Sequence, residues 1–90
     1  MADAQLYFEL GVVAIEQEKD VVRGRKMLAQ SLKMNPRNDM AWLYLARTLN
    51  DQHLKLRCVR QARTVNPGNE EAVRWENLLV SASQPMAVAS

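Results

Sequence analysis

Histidine and cysteine, the side chains best suited to chemistry near neutral pH, occur once each in this 90-residue chain, as His53 and Cys58. Neither has the company that a reaction needs. His53 has no Cys, Asp or Glu at ligand spacing on its helix, which suits a first-turn surface residue better than a metal ligand or a catalyst. Cys58 falls in an apolar register, as a small core side chain would. No nucleophile–base pair, glycine-rich phosphate loop or paired-carboxylate signature is present. The chain is expected to be no enzyme, with no cofactor, no metal and no small-molecule substrate.

The remaining chemistry is cationic. Arg23, Arg25, Lys26 and Lys33 lie in one interval without an acid, and Lys55, Arg57, Arg60 and Arg63 in another. Such stripes can bind phosphates. Aromatic residues are not interleaved with them, however, and the formal net charge is only +2, too small to imply a polyanion partner. A solvated face, partly neutralised by neighbouring acids, is the plainer reading. Trp42 and Trp75 fit packing between helices better than base stacking.

Ninety residues, 48% hydrophobic and 24% charged, fit one globular domain at most. A lone cysteine provides no disulfide framework, and a reduced cytoplasmic setting is expected. Met1-Ala2-Asp3-Ala4 carries no basic region or apolar run, so no signal peptide is expected. No 18-residue apolar stretch occurs, so no membrane partner is expected either.

These residues are positioned by two related junctions. Asn35-Pro36 returns as Asn66-Pro67 after 31 residues, and an internal period of this size decides an architecture. Proline stops the helix before it, and Asn38 or Asp39, then Asn69, can cap the helix that follows. Between the stops, apolar spacing predicts five helices. The first runs from a cap at Asp3 through Ile15, with its end and a turn held in Glu16-Gln17-Glu18-Lys19. The second spans about Val21–Met34 with Val21, Gly24, Leu28, Ser31 and Leu32 inward. The third spans about Asp39–Leu49. The fourth spans about His53–Val65 with Leu54, Cys58, Val59, Ala62 and Val65 inward. The fifth runs from Asn69 to about Ser81, carrying Trp75, Leu78 and Leu79. Gly24 costs about 1 kcal/mol in a helix interior relative to alanine, so a close neighbour is expected there. Short connections make antiparallel neighbours, and the fold class is all-α.

The pattern resembles the tetratricopeptide repeat. Tyr7, Leu10, Gly11, Ala14, Gly24, Leu28, Ser31 and Pro36 carry the resemblance in one unit, and Trp42, Leu45, Ala46, Leu49, Val59, Ala62 and Pro67 in the next. The second unit is three residues short of the usual 34, at the Asn50-Asp51 turn, and Lys55 stands where the family has a small residue. The third unit is a single closing helix. The organisation expected is one domain over residues 1–82, with repeat one at 3–36, repeat two at 37–67, a capping helix at 69–82 and a disordered tail at 83–90.

Such a resemblance implies a right-handed superhelix whose concave side, lined by first helices, binds a peptide or another protein. The matching positions are Gln5, Phe8, Val12, Ile15, Met40, Leu43, Arg47 and Arg74. Phe8, Val12 and Leu43 replace the polar and basic residues with which some members hold a carboxylate. An apolar groove for a partner helix is one reading, and self-association in a homodimer or internal packing is the other. Weak nucleic-acid binding through the basic convex side is the alternative function.

Overall fold

A computed structural model describes residues 3–83, which form five helices: α1 (Ala4–Glu16), α2 (Val21–Met34), α3 (Asp39–Arg47), α4 (Gln52–Val65) and α5 (Glu70–Ser83). Ser83, the first residue of the expected tail, closes α5; residues 84–90 lie outside the described residues. Each helix starts on a side-chain cap, because its first N–H groups have no partner within the helix. Asp3 accepts from the Leu6 N–H, Asp20 from Arg23, Asn38 from Ala41, Asp51 from His53 and Leu54, and Asn69 from Ala72. The two junctions also turn alike. The side-chain oxygen of Asn35 accepts from the Arg37 N–H, and that of Asn66 from the Gly68 N–H, the local bond that makes Asn a turn former.

The helices form successive antiparallel hairpins, α1 on α2, α2 on α3, α3 on α4 and α4 on α5. The core has two parts. Leu28, Leu32 and Ala41 are buried with Phe8, Ile15, Trp42, Tyr44 and Leu45 around them. Leu43, Ala46, Cys58, Val59, Ala62, Ala72 and Leu79 are buried with Trp42, Leu45, Leu49, Leu56 and Trp75 around them. Trp42 and Leu45 belong to both parts, so α3 joins the repeats. The Trp42 indole N–H is satisfied by the Pro36 carbonyl at 2.9 Å.

The close contact expected at Gly24 is present. A Cβ on Gly24 would lie 2.5 Å from Ile15 Cγ1, and one on Gly11 would lie 2.8 Å from Leu28 Cγ. The two glycines let α1 and α2 approach where side chains would keep them apart.

The shortening of the second repeat falls within a helix. α3 has 9 residues against 13 in α1, while α2 and α4 have 14 each. The stripe to Leu49 therefore overestimates α3, which ends at Arg47. Thr48 and Leu49 donate their N–H groups to Leu45 and Ala46, a three-residue step that tightens the last turn. Two inward assignments fail as well. Val21 and Leu54, in the first turns of α2 and α4, are 42% and 43% exposed, because no other element covers them.

Candidate interaction surfaces

The first helices α1 and α3 meet through side chains on one face. Phe8 and Tyr44 pack edge to face, with ring centroids 6.0 Å apart. The Tyr44 hydroxyl donates to Glu16 Oε2 at 2.9 Å. The Arg47 guanidinium lies 4.7 Å from the centre of the Tyr44 ring and 3.4 Å from the same carboxylate oxygen. Burial, reinforced by the hydrogen bond to Glu16, pushes the Tyr44 hydroxyl above its usual pKa. Sequence reasoning did not see this cluster, since Glu16 stands 28 residues before Tyr44 and no local period links them.

The expected groove residues divide accordingly. Gln5 is exposed and donates to Glu9. Phe8 and Val12 are half-buried, and Met40 is 37% exposed. Arg47 and Arg74 are exposed, held beside Glu16 and Glu70 respectively. Ile15 is half-buried against Gly24, so it packs between α1 and α2. Leu43 corrects the expectation most. It is 2% exposed and lies in the part of the core that α5 closes with Ala72 and Leu79. Its placement on an open face beside Met40 and Arg47 does not hold, because α3 turns that side toward the following repeat.

The junctions meet at a second polar cluster. Asp39 Oδ2 accepts from the side-chain amides of Asn66 and Asn69, at 2.9 and 2.8 Å. Burial pushes the Asp39 carboxyl up, but these two bonds, with backbone N–H groups, outweigh it and hold the acid below its usual value.

Much of the basic stripe is engaged. Glu76 on α5 takes Arg60 Nε on one carboxylate oxygen, at 2.9 Å, and the Arg63 guanidinium on the other. These bonds hold the Glu76 carboxyl below its usual range. Arg25 reaches across to α3, where it donates to the Thr48 carbonyl and, at 3.3 Å, to its hydroxyl. It thereby caps the negative end of that helix. Arg23 lies 3.9 Å from Glu18.

A second concavity has no counterpart in the sequence reading. Trp42, Leu49, Leu54, Arg57, Cys58, Arg60 and Gln61 line an open cavity of about 670 Å³ between α3 and α4. Burial pushes the Cys58 thiol above its usual pKa, as it does for an inert core cysteine. His53 is an exposed first-turn residue of α4. Among the described residues no three of His, Cys, Asp and Glu are grouped as a metal site, and no helix is long and apolar enough to cross a membrane.

Compared with family models, with curated proteins and with solved structures, the chain matches none.

Proposed function

We propose that this chain is a non-enzymatic interaction module of the tetratricopeptide type, which takes a protein partner on the face shared by α1 and α3. The observation that supports the reading is the face on which α1 and α3 meet, where Phe8 packs on Tyr44 and Glu16 holds both the Tyr44 hydroxyl and Arg47. The partner is proposed to contact Phe8, Val12 and Met40, with Gln5, Arg47 and Arg74 around them. Half-buried apolar side chains fixed on rigid helices and rimmed by polar ones are what a partner segment can cover at small entropic cost. Phe8 and Tyr44 hold one another, and Arg47 is braced by Glu16, so the surface is ordered before anything binds. With Leu43 withdrawn into the core, the apolar area is smaller than the sequence implied, which favours a modest interface.

The occupant of first choice is a second copy, because two repeats are fewer than the roughly three that stacked arrays need to cover their ends. Light scattering from micromolar to millimolar protein tests this. The mass is expected to rise above 10.3 kDa, and Met40→Glu together with Arg74→Glu should return it to that value. A constant 10.3 kDa would reassign the face to a foreign apolar segment. If a pool of apolar helical peptides then also shifted no amide resonance of α1 or α3, the interaction reading would fail.

The nucleic-acid reading is weakened by the pairing of Arg60 and Arg63 with Glu76 and by the use of Arg25 as a helix cap. Each removes a cation from the set available to phosphates.

A further inference from the structure

We infer that the cavity between α3 and α4 is a docking groove for an acidic amphipathic helix, on a surface separate from the α1–α3 face. Its floor is apolar, made by Trp42 and Leu49 on one side and by Leu54 and Cys58 on the other. Leu54 is 43% exposed although its spacing places it with the inward residues of α4. From Leu54 to Gln61 the α4 wall runs seven residues, roughly 10 Å or two helical turns. That length suits apolar anchors at i, i+4 and i+7 of a partner helix lying along it. A volume of about 670 Å³ leaves room for such side chains.

The charge around the floor selects the partner. Between Gln52 and Val65, α4 carries Lys55, Arg57, Arg60 and Arg63 and no acid. One carboxylate, Glu76, is shared by Arg60 and Arg63. Arg57 lines the groove, is exposed, and has no side-chain ion pair or hydrogen bond among the described residues; neither does Lys55. An apolar floor beside uncompensated cations is complementary to a helix with acids flanking its apolar stripe. A basic segment would meet like charge there.

The test is a selection of helix-biased random peptides, about four turns long, displayed on phage against the full chain. The most enriched peptide is then synthesised and titrated. Enriched sequences should be rich in Asp and Glu, with apolar residues at i and i+4. Leu54→Glu should weaken the peptide about 30-fold or more, as loss of a central anchor does. Arg57→Glu should weaken it and shift a repeated selection toward basic sequences. Both variants alter exposed side chains and should keep the wild-type helical signal. Backbone amide resonances between Leu54 and Gln61 of the wild-type chain should shift with peptide bound, a readout that needs no variant. Failure to enrich any sequence, enrichment of basic ones, indifference to Leu54→Glu, or unmoved resonances between Leu54 and Gln61 would each overturn the assignment. So would binding of homopolymeric RNA that Arg57→Glu abolishes and Leu54→Glu spares, since the cations would then serve phosphates.

Discussion

Gly24 shows how a single missing side chain sets a helix pair. In an open helix, replacing glycine by alanine stabilises by up to about 1 kcal/mol. Here the added Cβ would sit 2.5 Å from Ile15 Cγ1 and 3.3 Å from the Gly11 carbonyl oxygen. The first is a mid-chain atom of a branched side chain and the second is backbone, so neither yields easily. Gly24→Ala is therefore expected to melt below the wild type, and Gly24→Leu to lose on the order of 1–3 kcal/mol by overpacking. Urea unfolding of both variants checks this. An alanine variant more stable than the wild type would mean that α1 and α2 are not in close contact. Arg25 shows the converse, a long side chain whose role is set by its target. Its guanidinium serves the buried Thr48 at the end of α3, which makes it a fastener between repeats rather than a free cation.

At the scale of elements, α5 is fastened to α4 by packing and by charge. Ala72 and Leu79 enter the α4 core, and Glu76 receives Arg60 and Arg63. The Glu76 side chain is 12% exposed, whereas both arginines are about half exposed, so solvent screens the pair and its worth is about 1 kcal/mol. Because hydrogen bonds from the arginines lower the folded-state pKa below the ordinary 4.5, this contribution is complete above the unfolded value. It is lost as pH falls through the folded one. Glu76→Gln is expected to be less stable than the wild type at neutral pH, with the gap closing under acid conditions below 4.5. Urea midpoints measured across that range decide it; a gap of constant size would show that the charge contributes nothing.

For the whole molecule, the weakness of a short stack lies at its ends. The most extensive contacts run between consecutive helices, so removing the last one uncovers Cys58, Val59 and Ala62 without any other element to replace it. Truncation after Gly68 also removes Asn69, which joins Asn66 on Asp39. The truncated chain is expected to lose helical circular dichroism beyond the share of α5 itself, or to aggregate. A soluble monomer with the remaining four helices intact would show that the first two hairpins stand alone. Leu78, expected to cover the second repeat, is instead 69% exposed on α5, and Leu79 and Trp75 do that work.

Helix count, caps and stops were legible in the sequence because they depend on neighbours within four residues. Asp3, Asp20, Asn38, Asp51 and Asn69 each cap a helix through an N–H two or three residues away, and the Asn-Pro steps end α2 and α4 through local sterics. The tight contact at Gly24 was legible too, since an interior glycine in a helix needs a reason. The facing of the middle helix was not. α3 carries apolar residues around much of its circumference and packs against α2 and α4, while its side chains reach α1. Spacing alone therefore fixes its stripes relative to each other but not which stripe remains open. That choice put Leu43 inside and left Met40 outside. The same limit hid the partners of Arg25, Glu16 and Glu76, and the α3–α4 groove, because each joins residues more than a helical turn apart in sequence. Only the packing of one hairpin on the next brings them together.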